Sequence, residues 1–584
     1  MLLSKTWSWK AIGAVAVLPF LGQLAACGGG ADSPAMDVAS ASTVVSMQPT
    51  PALFTSGDER KLRRVTQQGA VLGIDQSATS GTYAWLGLPY AKPPVGALRW
   101  MPPAEPDTWS GTRHVRAFGA SCVQGGRYFS PPPNGEPFGL SVRDGLGKPV
   151  GEEDCLTLNI WRPSDTAAKL PVIVFIHGGS NISGYSADPL YNGASLSAKA
   201  HALVVTINYR LGLMGWLDLP QLKTGDPLAD SGNFATLDHI QALKYLHQNV
   251  EAFGGDPGNV TVMGESAGAV NTWALMVSPL SKGLMHKAVS MSGGLVTSSP
   301  AQSRAYAKNL LQAMLVDDGT VANAALAEIY LATRTSAQVA SYMRSKSAND
   351  VVRVSMAHSA LGNAPAVLTD GAVIPLFPSL EIARGNYRQV PMLAGNTAEE
   401  GKLFGSLVGA YKPNDYDRFT MQYNFDPDAP PTLLESDLLN PQFLPVDRPV
   451  TGWNSVSAAL TAAIFTQGTI SSMGTLSLQQ PTQMWYYRFD WAQEPAPFHT
   501  VYGSAHAMDI PFVFGNFGKS VFSFAYSQAN KPGREVLSDA MMRSIGSFAA
   551  TGNPNHSALG AAWPNWPATL VFDATPTQPR IGVQ

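Results

Sequence analysis

Residues Gly264-Glu265-Ser266-Ala267-Gly268 constrain this chain more than any other segment, because a strand pattern precedes them and a helix pattern follows. The run Val260-Thr261-Val262-Met263 is short, apolar and β-branched, the signature of a buried strand. From Ala267 the sequence AGAVNTWALMV is rich in Ala, Leu and Met and carries no breaker, which predicts a helix. A serine at such a corner needs small neighbours, since one backbone turns tightly against another, and Gly264 and Gly268 supply the room. The helix N-terminus beside Ser266 favours negative charge developing there. The arrangement marks Ser266 as a candidate nucleophile.

Of the 584 residues, 45% are hydrophobic and 14% charged, so a large core can be buried. Length alone corresponds to about three or four average domains, although large α/β folds often run as one. The net charge of −3 comes without a basic stripe, which argues against a nucleic-acid partner. The low charge density suits neutral, apolar substrates. No His-Glu-x-x-His, paired Cys-x-x-Cys or Walker-type loop occurs, so neither a metal nor a nucleotide cofactor is expected. Gly254-Gly255-Asp256-Pro257 reads as a turn before the nucleophile strand rather than as a calcium site.

The first 26 residues have the make-up of an export signal. Lys5 and Lys10 form a positive start, Ala11 to Leu21 is apolar, and Leu24-Ala25-Ala26 precedes Cys27. The uncharged stretch of 16 residues is short for a membrane-spanning helix. Leu-Ala-Ala-Cys resembles the bacterial lipobox, which implies lipidation of Cys27 as the mature N-terminus; an ordinary secretory signal cut nearby is the other reading. Residues 27–62, rich in Gly, Ser, Ala and Pro, are expected to form a flexible tether. The protein is therefore expected to be exported and to touch the membrane only through its lipid. Gly28, in place of the aspartate associated with inner-membrane retention, favours the outer membrane. Without the lipid it would be secreted or periplasmic. Setting Cys27 aside leaves Cys122 and Cys155, an even pair and so a disulfide candidate in an exported protein. Two buried free thiols are the alternative.

Several further motifs occur in order along the chain. They are Gly87-Leu88-Pro89-Tyr90-Ala91 with Pro93-Pro94-Val95-Gly96, Glu153-Asp154-Cys155-Leu156 with Leu158-Asn159, and His177-Gly178-Gly179. Asn208-Tyr209-Arg210-Leu211-Gly212 and Phe253-Gly254-Gly255-Asp256-Pro257 follow, ahead of the serine corner. Through them, from about residue 64 to 570, the chain resembles the type-B carboxylesterases, the group of the cholinesterases and bacterial para-nitrobenzyl esterases. The resemblance implies an α/β-hydrolase fold: a mostly parallel central sheet, helices on both sides, and long insertions over the active site. The short apolar runs Val172-Ile176, Leu203-Ile207, Val260-Met263, Met392-Leu393 and Trp485-Phe489 agree with a doubly wound sheet.

A serine hydroxyl needs a base within hydrogen-bond reach, itself oriented by an acid. In this fold the order along the chain is Ser, acid, His. Well downstream of Ser266 stand His499, His506 and His556. His506, in the small-residue loop Gly503-Ser504-Ala505-His506-Ala507-Met508-Asp509, matches the family's catalytic loop, with Asp509 where the family usually has Glu. The family acid directly precedes a glycine, which selects Glu400 before Gly401, with Glu399 the fallback. Asp370, near a turn, matches a different family motif. Carried across residue by residue, the family's oxyanion donors are the backbone N–H groups of Gly179, Ser180 and Ala267. Ser180 and Asn181 stand where the family prefers Gly or Ala and an aromatic residue, a departure that alters the pocket near the acyl group. Arg99 with Glu153, and Arg210 with Asp238, resemble the family's buried ion pairs, and Glu265 is expected to order the pocket floor.

These residues together predict a carboxylic-ester hydrolase that forms an acyl-enzyme on Ser266 and needs no cofactor. Residues 63–584 form the expected catalytic domain; helical insertions near 300–365 and 410–475, which carry no motif, are expected lid or gorge-wall elements. A small apolar ester is the expected substrate. Cleavage of amides, carbamates or polyesters, or a non-catalytic surface role as in some cholinesterase relatives, are the rival readings. Oligomeric state is left open.

Overall fold

The structure, a computed structural model, describes residues 56–584. The signal segment 1–26, Cys27 and tether residues 28–55 lie outside the described residues. Eleven strands make the main sheet: β1 (Ile74–Gln76), β2 (Thr82–Pro89), β3 (Thr157–Pro163), β4 (Leu170–Ile176), β5 (Leu203–Ile207), β6 (Gly255–Glu265), β7 (Lys287–Met291), β8 (Met392–Thr397), β9 (Met484–Phe489), β10 (Thr569–Ala574) and β11 (Pro579–Val583). Their spatial order is β11-β10-β9-β8-β7-β6-β4-β5-β3-β2-β1. The strands from β5 to β10 are mutually parallel with β4 among them, and antiparallel strands close both edges.

The parallel strands read as continuous apolar runs because both faces are covered. In β4, Val172, Val174 and Ile176 enter one hydrophobic cluster, and Ile173 and Phe175 enter another. The two-residue period of a strand places those sets on opposite faces. The first cluster is completed by helices α1 (Phe234–Asn249) and α2 (Ala267–Val277), through residues such as Leu243 and Trp273. The second is completed by α3 (Lys531–Thr551), through Leu537, Met541, Ile545 and Phe548. This is the helix–sheet–helix layering of an α/β-hydrolase.

Two departures from the expected outline concern its ends. Residues Ser56–Leu62, assigned to the tether on composition, form a helix. Leu62 is buried in the core and its carbonyl accepts the Trp85 indole N–H at 2.8 Å, so packing overrides the polar composition. The antiparallel strands β1, β2, β3 and β11 escaped the pattern of apolar runs: β1 and β11 are short edge strands, and β2 and β3 carry polar residues such as Thr82, Asn159 and Arg162 among their apolar ones.

Residues 300–365 hold four α-helices, Pro300–Asp317, Ala324–Ala332, Ser336–Ser345 and Ala348–Ala357. Ser299 with Gln302, and Thr335 with Gln338, form capping boxes that satisfy the first free N–H groups of two of them. Their apolar faces join Trp100, Leu213 and Met214 in a separate cluster. In the second insertion a long helix runs from Trp453 to Ser477 with a π-helical turn at Thr461–Thr466. Among the described residues no helix is long and apolar enough to cross a membrane.

Cys122 and Cys155 are joined by a disulfide across a separation of 33 residues. Beside it Arg99 grips Glu153 through two hydrogen bonds of 2.6 and 2.5 Å. Arg210 holds Asp238 in the same forked way at 2.8 and 2.6 Å, with both side chains buried.

Candidate active site

The C-terminal end of β6 turns into α2 through Ser266, whose φ of 54° and ψ of −120° lie outside the regions open to most side chains. Contacts around it force that conformation. A Cβ on Gly264 would lie 2.2 Å from the Gly268 carbonyl oxygen, and one on Gly268 only 1.9 Å from that of Ile176. The Ser266 N–H donates to Met291 O at 2.8 Å, and its carbonyl accepts from the Val270 N–H at 3.1 Å. Ser266 is partly exposed, at the end of the sheet where the strands deliver their loops.

Two of those loops bring the acid and the imidazole together. Glu400 follows β8 and is fully buried. Its Oε1 accepts from the Thr397 N–H and the Asn396 amide, each at 2.9 Å, and its Oε2 lies 2.5 Å from His506 Nδ1. Tyr486 in turn donates to Asn396 Oδ1 at 3.0 Å, which orients the amide. Glu399 points elsewhere: its carboxylate meets Lys402 Nζ at 2.7 Å and accepts the Ser504 N–H at 3.1 Å. His506 Nε2 faces the serine corner, 3.0 Å from Glu265 Oε1. That contact lacks hydrogen-bond alignment, so Nε2 makes no hydrogen bond to any described residue. The imidazole is covered by Phe465 and Phe404, whose ring centroids lie 4.3 and 5.2 Å away.

The other candidates serve elsewhere. His499 is exposed and paired with Thr500, and His556 lies near the Ala540 carbonyl. Asp370 accepts from Asn233 and from the N–H groups of Ala372, Val373 and Ile374, which makes it the anchor of a turn. Asp509 is buried and accepts the Tyr487 hydroxyl at 2.6 Å.

After β4 the chain runs through Gly179, Ser180 and Asn181 at φ of 100°, 56° and 61°. The Gly179 carbonyl accepts from the N–H groups of Ile182 and Ser183, both at 3.0 Å, closing a tight turn. The N–H groups of Gly179, Ser180 and Ala267 donate to no acceptor among the described residues. Ser180 is exposed, and Asn181 is buried.

Residues 60–578 match the model of the carboxylesterase family. The chain belongs to that family. Over 518 residues it is 31% identical to the para-nitrobenzyl esterase of Bacillus subtilis, covering 87% of this chain and 94% of that one. It is equally identical over 518 residues to the fumonisin B1 esterase of Sphingopyxis macrogoltabida, at 87% and 85% coverage. A solved thermophilic para-nitrobenzyl esterase superposes with a TM-score of 0.68 at 27% identity, over 90% of this chain and 97% of its own. A Geobacillus stearothermophilus carboxylesterase gives 0.66 at 26% identity, over 90% and 98%. This carboxylesterase is a serine hydrolase that cleaves carboxylic esters.

The electrostatics of the carboxylesterase centre on a buried cluster of three carboxyl groups and one imidazole. Burial opposes protonation of His506, but the carboxylates of Glu265 and Glu400 outweigh it and raise its pKa to about 9. Burial would raise Glu400; the His506 charge and its hydrogen bonds hold it below the usual range. Glu265 has no such donors, and burial lifts it to about 8. Asp509 rises to about 6 for the same reason. The Glu265–His506 pair therefore retains a proton well above the pH at which an isolated imidazole releases it.

Sequence patterns missed Phe404, Phe465 and the Glu265–His506 contact. Phe465 comes from an insertion without a motif, and Phe404 follows the Glu400-Gly401 pair in a segment whose reach to the imidazole no local signal marked. Glu265 was visible as the residue beside Ser266, but its reach to an imidazole 241 positions along the chain was not.

Proposed function

We propose that Ser266, His506 and Glu400 form the catalytic triad of this carboxylesterase, with apolar esters as substrates. His506 Nε2 takes the Ser266 proton as Oγ attacks the ester carbonyl, and Glu400 holds the Nδ1–H tautomer and stabilises the imidazolium. The N–H groups of Gly179, Ser180 and Ala267 receive the oxyanion. His506 then returns the proton to the departing alcohol, and water releases the acid from the acyl-serine by the same steps in reverse order.

The observation that carries this reading is the position of one imidazole. Its Nδ1 lies 2.5 Å from a buried, already oriented carboxylate, and its other nitrogen faces the serine corner. Phe404 and Phe465 lay their apolar rings against the imidazole, which favours apolar groups at the site. The relatives named above are called after quite different esters, so the walls built by the insertions set the preference. The helices at 300–357 and the segment 410–477 supply those walls in this reading.

Ser266→Ala is expected to abolish hydrolysis of para-nitrophenyl acetate and labelling by a fluorophosphonate probe, without changing the thermal transition. Retention of more than a few per cent of the parental rate would remove Ser266 from the mechanism. The lipobox-like Leu24-Ala25-Ala26-Cys27 supports an N-terminal lipid anchor, with outer-membrane attachment through a flexible tether. Fatty-acid label that appears on the parent and vanishes in Cys27→Ser tests that placement.

A further inference from the structure

Ser180 and Asn181 hold consecutive positive φ angles of 56° and 61° without being glycine. Such conformations cost roughly 1–2 kcal/mol per residue and persist only where the surroundings enforce them. Asn181 is enforced at several points. Its carbonyl accepts the Gly212 N–H at 2.7 Å, and its side-chain Oδ1 accepts the Asn271 amide at 2.8 Å and lies 3.5 Å from the Tyr209 hydroxyl. Tyr209 also donates to His177 O at 2.8 Å, just ahead of Gly178 and Gly179. Asn181 and Asn271 are both buried, 5% and 1% exposed, and the bond pairs the Asn271 amide N–H where an unpaired donor would be costly, while Asn271 Oδ1 has no partner among the described residues.

The position of Asn271 gives this bond its meaning. Asn271 sits on α2 four residues after Ala267, one helical turn along the same face. Its amide thus joins the loop that presents the Gly179 and Ser180 N–H groups to the helix that presents the Ala267 N–H. These donors come from different elements, and nothing in the covalent chain sets the distance between them.

We infer that the Asn181–Asn271 hydrogen bond is a strut that sets the spacing of the oxyanion donors, making both asparagines positioning residues for the transition state. The inference rests on the assignment of Gly179, Ser180 and Ala267 as those donors. Neither amide needs to touch substrate. Loosening the strut leaves every donor present but lets the loop drift against the helix, and misplacement by about 1 Å can cost on the order of 10²-fold in rate.

Asn271→Leu removes the donor with little change in volume. Asn181→Gly removes the acceptor while keeping the positive-φ backbone free of strain. Each folded variant is expected to lose about 10–100-fold in kcat/KM for para-nitrophenyl acetate, carried by kcat with KM within about threefold. Affinity for benzyl trifluoromethyl ketone, whose adduct with serine carries the oxyanion, falls in parallel, while affinity for benzyl methyl ketone stays level. The double variant loses no more than the worse single one. Should the leucine variant fail to fold, Asn181→Gly carries the same expectations.

A folded single variant within about twofold of the parent in kcat/KM, losses that add in the double variant, or equal weakening of both ketones would each overturn the strut. A parent that binds the trifluoromethyl ketone no more tightly than the methyl ketone would instead defeat the donor assignment, and the strut with it. Tight binding by the parent that survives in both variants defeats the strut alone.

Discussion

His506 and Glu265 approach within 3.0 Å, Nε2 to Oε1, so both nitrogens of the imidazole meet a carboxyl group. Glu400 contacts Nδ1 with a carboxylate already satisfied by Asn396 and Thr397, whereas Glu265 has no comparable donors. The two glutamates therefore act differently on one ring. Glu400 is held ionised and orients it; Glu265, which burial pushes toward the protonated form, shares a retained proton with Nε2 on the side of the serine corner.

The pH profile should register this directly. In the proposed mechanism His506 must be neutral to accept the Ser266 proton, and its pKa is raised to about 9, so kcat/KM for a para-nitrophenyl ester is expected to rise through the alkaline range. Glu265→Gln removes one ionisable partner of this coupled pair and moves the midpoint down toward the ordinary imidazole value of about 6.5. A parental midpoint at or below that value, or one unmoved by the substitution, contradicts this account.

Adjacent glutamates should separate cleanly. Glu400→Gln removes the orienting carboxylate from the ring and is expected to lower kcat by about 10²–10⁴. Glu399→Ala instead releases the Ser504 N–H and leaves Lys402 buried without its partner. Because Glu399 is itself about a third exposed, the expected loss is a modest ~1–2 kcal/mol of stability, with kcat reduced less than about tenfold. Urea unfolding and steady-state kinetics on both variants test the division; a larger kcat loss for Glu399→Ala would reverse it.

The disulfide lends itself to a quantitative check. Closing a loop across 33 positions stabilises the folded chain by about 3–4 kcal/mol on the chain-entropy model. Replacing both Cys122 and Cys155 with alanine should lower the unfolding free energy by that amount, and the parent unfolded in reductant should match the variant. An unchanged urea midpoint would mean the bridge adds nothing to stability.

Glu494 offers a stabilising substitution. It is buried, neither carboxyl oxygen has a hydrogen-bond partner among the described residues, and burial raises its pKa well above the carboxylate range. The folded state thus binds a proton that the unfolded state has released, so this group's contribution falls as pH rises above the unfolded carboxylate pKa. Glu494→Gln should raise the thermal midpoint at pH 8, with the gain shrinking toward pH 4. A midpoint that drops at pH 8 would show the ionised side chain to be supported after all.

The elements that sequence could specify are those governed by local periodicity and steric need. β5 and α2 coincide with the expected runs Leu203-Ile207 and AGAVNTWALMV, since an apolar β-branched run or an unbroken Ala-Leu-Met stretch has one comfortable backbone. The boundaries of β4, β8 and β9 differ by a few residues, because sheet pairing extends strands past their most apolar positions. At the serine corner, contacts of 1.9 and 2.2 Å awaiting any added Cβ explain why its glycines were readable in advance.

The sequence by itself determined the family, the layered fold and the corner that carries Ser266, all encoded by neighbours within a dozen positions of one another. Which aromatic rings cover the imidazole, and which amide ties the glycine loop to α2, were decided only in three dimensions. Those choices depend on where side chains from distant loops end up after the sheet closes; Glu399 and Glu400 differ chemically in nothing but the direction in which the backbone turns them, so only the family's acid-before-glycine pattern told them apart in advance.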